Sequence, residues 1–142
     1  MSAPSPEHAL HARLASHLES YHPFVQEILE RLEVCGWQRG ELFAVHMALE
    51  ESISNAIRHG NKFDDAKEVE VECVVSSARF WVRICDQGQG FQPEKVPDCR
   101  SLERLEVPGG RGLTLMKAYM DDVAYNACGN CLTMEKRRAT GG

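Results

Sequence analysis

The sequence predicts a single compact α/β domain, on three observations. Residues 42 to 56 carry one apolar stripe at helical spacing, and residues 68 to 75 alternate between apolar and acidic side chains. The third is size: 142 residues with 43% hydrophobic content suffice for one core. No composition shift marks a second domain, and no internal repeat is present. The domain is expected over residues 9–138, with tails at 1–8, where Pro4 and Pro6 lie, and at 139–142.

Ala9 to Ala15 reads as a short first strand. Ser16 and Glu19 then have capping-box spacing for a helix ending near Gly36. Proline is tolerated only in a first turn or at a kink, so Pro23 offers a second start for the regular helix, at Ser20 to Pro23. The next helix is the clearest element. Leu42, Val45, Leu49, Ile53 and Ala56 recur at steps of three and four through to His59, and Gly60 stops the run.

From Glu68 to Val75 the residues Val69, Val71, Cys73 and Val75 face one side and the glutamates the other, as in an antiparallel strand with one wet face. A strand over Phe80 to Cys85 follows the turn-like Ser76 and Ser77. Asp86 to Gly112 is rich in Gly, Pro and charge and is too long for an ordinary connection, which makes it a candidate functional loop or lid. Leu113 to Asp121 reads as a helix, and Val123 to Arg137 as a hairpin turning at Gly129 and Asn130.

Composition excludes some functions. A formal net charge of -5 provides no general attraction to nucleic acid or anionic lipid, so neither is expected as a direct partner. No stretch reaches the roughly 18 to 20 uncharged apolar residues of a membrane span, and the first ten residues lack the features of a signal peptide. A cytoplasmic location is the expectation. The six cysteines are accordingly read as reduced. Cys128 and Cys131 have C-x-x-C spacing, but no second ligand pair lies nearby, and they read as hairpin residues rather than a zinc or redox site.

Three segments carry chemistry. In the first, Glu51, Asn55 and His59 are spaced four apart on the core helix and share one edge. A carboxylate one turn from an amide oxygen suits phosphoryl transfer: the carboxylate serves the attacking hydroxyl and the amide oxygen a magnesium ion. Glu50, about 140° around the helix from Asn55, is the weaker candidate base and is left to solvent or a surface pair. The bland reading of the segment is a solvated helix face.

The second segment is Asp86-Gln87-Gly88-Gln89-Gly90-Phe91. Asp86 continues the parity of Phe80, Val82 and Ile84, so if those three face the core its carboxylate points inward too and needs a donor, for which the exocyclic amine of adenine is suitable. Gly88 and Gly90 allow close approach of the backbone to a ring and sugar. A simple glycine turn is the alternative. The third segment, Pro108-Gly109-Gly110-Arg111-Gly112-Leu113-Thr114, leads a glycine run into a helix, a ready anion site with Arg111 beside it. It matches neither a P-loop nor a dinucleotide fingerprint.

Taken in order, Glu51-x-x-x-Asn55-Ala56-x-x-His59-Gly60, Asp86-x-Gly88-x-Gly90-Phe91 and Gly110-x-Gly112-Leu113 resemble the N, G1 and G2 boxes of the Bergerat-type, histidine kinase-like ATPases. Within them the chain looks most like the anti-sigma factor serine/threonine kinases of the RsbW and SpoIIAB type. The resemblance covers about residues 10 to 137. It implies a two-layer α/β sandwich with a mixed, mostly antiparallel sheet and helices on one face, binding ATP with magnesium.

By motif position it implies that Glu51 is the catalytic base and Asn55 the magnesium ligand. Asp86 would contact adenine, with Gly88, Gly90, Gly110 and Gly112 as nucleotide-contacting glycines. His59, Arg111 and Leu113 join the nucleotide-binding set, and Thr114 adds a hydroxyl. The implied protein is a homodimeric protein-serine kinase that phosphorylates an anti-anti-sigma partner and binds a sigma factor. The runner-up is an ATP-binding switch module without kinase activity. A sensor histidine kinase fragment fits less well, since His46 and His59 lie within the ATP-box helix itself.

Overall fold

The computed structural model describes residues 8–87, 116–126 and 130–138. Five strands, β1 (His8–Ala15), β2 (Glu68–Val75), β3 (Arg79–Cys85), β4 (Asp122–Tyr125) and β5 (Cys131–Arg137), form one sheet in the order β1-β2-β3-β5-β4. Every pairing among these described strands is antiparallel.

The register explains the core. Val71 lies opposite Ile84, and Ile84 opposite Leu132; Cys73 lies opposite Val82, and Val82 opposite Met134. Two apolar rows thus cross three strands on one face, and all six residues are buried. The other face carries cross-strand charge, with His11 Nε2 2.7 Å from Glu70 Oε2 and Arg83 paired to Glu72. The hydrogen bond from His11 is the first cause holding the Glu70 carboxyl below its usual range.

Helices α1 (His22–Val34) and α2 (Arg39–Asn55) cover the apolar face. Val25, Ile28 and Leu32 of α1 meet Val45, Leu49 and Ile53 of α2 in one core cluster with the strand residues. At the start of α2 the Gln38 N–H donates to Glu41 Oε1 at 2.7 Å, satisfying a donor the helix cannot. Residues 116–119 are helical, and Met116 and Met120 reach the same core. His8, expected in the first tail, opens β1; the rest of the expected tails and most of the expected lid lie outside the described residues.

Two expectations are corrected. Ser16 does not cap a helix: it is fully buried, and its hydroxyl donates to the Lys67 carbonyl at 2.6 Å. Turns occupy the interval, with the Ser20 hydroxyl 2.7 Å from the Ala15 carbonyl, and the helix starts at His22 with Pro23 in its first turn, where a missing N–H costs little. The cysteines are not all reduced. Cys85 and Cys131 face each other across β3 and β5 and form a disulfide. Cys73 is a free, buried thiol whose pKa burial pushes up to about 12, and Cys35 is also free.

Candidate functional site

The candidate site is built where α2 and the turn after it end beside the end of β3 and the start of β5. Asn55 closes α2, and after it the helix widens into a π-helical turn, Ala56–Gly60, in which the Asn61 N–H donates to the Ala56 carbonyl at 2.8 Å. Such widened turns occur often at functional sites. The chain then reverses through Lys62 and Phe63, both at positive φ, 52° and 59°. This left-handed pair without glycine turns the chain toward β2 at a conformational cost of about 1 kcal/mol or more for each residue.

Glu51 is half-buried one turn before Asn55. Asn55 is 8% exposed, and among the described residues its Nδ2 finds no hydrogen-bond partner. A buried amide donor left unmade costs about 1 to 3 kcal/mol. The amide can donate through Nδ2 to an anionic oxygen or present Oδ1 to a donor or a cation. His59, in the widened turn, is exposed.

Glu50 is engaged elsewhere. Its Oε2 lies 3.0 Å from His46 Nε2 and its Oε1 accepts from the Tyr21 hydroxyl at 3.5 Å. Burial, then the Glu50 charge, raises the Tyr21 pKa.

Asp86 follows β3 directly and packs against Gly60: a Cβ on that glycine would lie 2.3 Å from Asp86 Cγ and Oδ2. The structure therefore brings the end of the first sequence segment onto the start of the second. Val82 and Ile84, whose parity Asp86 continues, are buried. Asp86 is half-buried, and its N–H donates to the Asn130 carbonyl at 2.9 Å. Tyr125, on β4, is a neighbour that sequence reasoning missed. Burial, reinforced by the Asp86 charge, pushes its phenol up to about 12.

A second omission is Asn61, with 1% exposure. Its position directly after Gly60 was the available signal, but a polar residue at a helix end ordinarily reads as a turn. Gly88, Gly90, Gly110, Arg111, Gly112, Leu113 and Thr114 lie outside the described residues. So does Cys128. Among the described residues no cluster of three or more His, Cys, Asp or Glu side chains could hold a metal ion, and no helix is long and apolar enough to cross a membrane.

Comparison with known proteins identifies the family and the fold. Residues 11–136 match the histidine kinase-like ATPase domain family. A protein named serine-protein kinase RsbW from Listeria monocytogenes is 31% identical over 86 residues, covering 54% of this chain and 53% of the relative. An anti-sigma F factor from Clostridium perfringens is 30% identical over 86 residues, covering 58% of this chain and 61% of the relative. The aligned region thus spans little more than half of each relative. The solved structure of the RsbU and RsbW domains of a Mycobacterium tuberculosis protein superposes with a TM-score of 0.63 at 19% identity. It covers 95% of this chain and 33% of that one, a likeness of fold.

Proposed function

The chain belongs to the histidine kinase-like ATPase domain family, and from that premise we propose that it is an ATP-dependent protein-serine kinase and anti-sigma factor. In this reading it binds a sigma factor, phosphorylates a serine of an anti-anti-sigma partner, and acts as a homodimer. Relatives at about 30% identity bearing the names serine-protein kinase and anti-sigma F factor support the choice.

The observation that carries it is Asn55. A buried amide whose Nδ2 has no partner among the described residues, one turn beyond a half-buried carboxylate and on the helix that leads into the Gly60–Asp86 contact, supports a ligand with a phosphate and a cation at one end and a base at the other. Magnesium–ATP supplies, when bound, an activated terminal phosphoryl group. Asn55 would hold the magnesium through its amide oxygen, and the Asp86 carboxylate would accept a hydrogen bond from the adenine amine. The Glu51 carboxylate would orient the serine hydroxyl and take its proton. Gly88, Gly90, Gly110, Arg111, Gly112, Leu113 and Thr114 are assigned to the sugar and phosphates, and His59 to the rim of the site.

Two variants test these roles. Glu51→Ala is expected to abolish phosphoryl transfer to an anti-anti-sigma protein while leaving magnesium–ATP affinity within about twofold of wild type. Equal loss of both would remove Glu51 from the role of base. Asp86→Asn is expected to weaken ATP and relax the preference for adenine over guanine, because guanine carries an acceptor where adenine carries its amine. A wild-type chain that binds ATP, engages a sigma factor and transfers no phosphate to any anti-anti-sigma protein would favour the switch module.

A further inference from the structure

Asn61 connects four parts of the chain that meet at the candidate site. A fully buried amide is tolerated only when both its ends are bonded, and here both are. Its Oδ1 accepts the Gln87 N–H at 2.7 Å, and its Nδ2 donates to the Ser16 hydroxyl at 3.1 Å. The Ser16 hydroxyl in turn donates a hydrogen bond to the Lys67 carbonyl at 2.6 Å. The Asn61 backbone is also fixed, its N–H to the Ala56 carbonyl at 2.8 Å and its carbonyl from the Asp64 N–H at 2.9 Å.

The position of the held amide matters. The Gln87 N–H belongs to the peptide plane immediately after Asp86, and the Asp86 N–H, in the plane before it, is held by Asn130 at 2.9 Å. With both planes pinned, the direction in which the Asp86 side chain leaves the backbone is set. Gln87 strengthens the clamp, since its Oε1 accepts the Glu68 N–H at 2.7 Å. The same Asn61 follows Gly60, against which the Asp86 carboxyl group packs.

We infer that Asn61 is a positioning residue for nucleotide-base recognition. Through Gln87 N–H it holds Asp86 in place against the end of the helix that carries Glu51 and Asn55. The inference rests on the proposed nucleotide reading. Asn61 touches no nucleotide itself, so its loss acts on the base end of the ligand and spares the phosphate end.

The test is calorimetric titration of wild type, Asn61→Ala and Asn61→Asp with magnesium complexes of ATP, GTP and tripolyphosphate, well below each variant's Tm. Asn61→Ala is expected to weaken ATP by about tenfold or more, the effect of a displaced hydrogen bond to a charged group. Tripolyphosphate affinity should stay within about twofold, and the ATP-to-GTP ratio should fall. Asn61→Asp, which keeps an oxygen for the Gln87 N–H, should recover most of the ATP affinity. Equal loss of ATP and tripolyphosphate, unchanged ATP affinity in Asn61→Ala, or no recovery in Asn61→Asp would each overturn the inference. Should Asn61→Ala fail to fold, Ser16→Ala replaces it, with the same narrowing of the ATP-to-GTP ratio expected and an unchanged ratio overturning the role. Failure of the wild type to bind ATP would overturn the nucleotide reading itself and the role of Asn61 with it, a result separate from any variant effect.

Discussion

The α-carbon of Gly60 faces the Asp86 carboxyl group so closely that a Cβ there would meet Asp86 Cγ and Oδ2 at 2.3 Å and Asp86 Cβ at 2.8 Å. Real Cβ atoms do not approach other atoms that closely, and a short side chain attached to a bonded backbone has little room to retreat. The glycine at the end of the widened turn is thus the space in which the site's carboxylate stands.

Gly60→Ala should therefore push Asp86 aside and weaken magnesium–ATP binding by about tenfold or more, the scale of one misplaced charge-assisted hydrogen bond. Gly40 provides the control, since nothing lies within 4 Å of a Cβ added there. Gly40→Ala, within α2, should leave binding unchanged and stability equal or slightly raised. Titration of both variants checks the pair, and equal ATP affinity in the two would contradict the steric role of Gly60.

The Cys85–Cys131 disulfide spans a sequence separation of 46 residues and joins the end of β3 to the start of β5. A cross-link of this length stabilises by about 2 to 4 kcal/mol, chiefly by restricting the unfolded chain. Cys85→Ser should lower the unfolding free energy by that amount in urea. Reductant should shift the wild-type midpoint downward and leave the Cys85→Ser/Cys131→Ser double variant unmoved. A wild-type midpoint insensitive to reductant would contradict the cross-link's contribution.

Much of the fold was legible from period alone. The alternation at Glu68–Val75 and the apolar stripe from Leu42 to Ala56 each require one face to be buried, and both elements are present. The disulfide was not legible. Cys85 and Cys131 become neighbours only once β3 and β5 pair in register, which local pattern does not specify. Ser16 misled for a related reason. Its spacing to Glu19 is that of a cap, but a long-range carbonyl, that of Lys67, takes its hydroxyl. Asn61 and Tyr125 escaped because their partners, Ser16, Gln87 and Asp86, lie far away in sequence. The placement of Glu51 and Asn55 one turn apart on α2, and of Asp86 directly after β3, was legible because helical spacing and strand parity are local; the roles given to these residues belong to the proposed function.

Tyr125 confers a pH dependence with a definite sign. Its folded pKa is pushed up from 10.0 to about 12, so the fold favours the neutral phenol. That contribution is fully present below about pH 10 and is lost as the pH rises through about 12. Tyr21 and Cys73 are raised as well, so the effect is isolated by comparison with Tyr125→Phe. Wild-type stability should fall more steeply than that of Tyr125→Phe between about pH 10 and 12. The variant should also lose the highest-pH step in ultraviolet titration of the phenols. Identical profiles would contradict the raised pKa of Tyr125 and the burial that chiefly causes it.

Calorimetric titration with magnesium–ATP, and with magnesium–GTP in parallel, tests the nucleotide site most directly, with Asn55→Ala as the paired variant. Wild type is predicted to bind ATP saturably at one site per chain and to prefer it to GTP. Asn55→Ala should lose at least about tenfold in ATP affinity, since its buried amide Nδ2 has no partner among the described residues. No ATP binding by the wild type, or full affinity in Asn55→Ala, would contradict a nucleotide site built on Asn55 and Asp86.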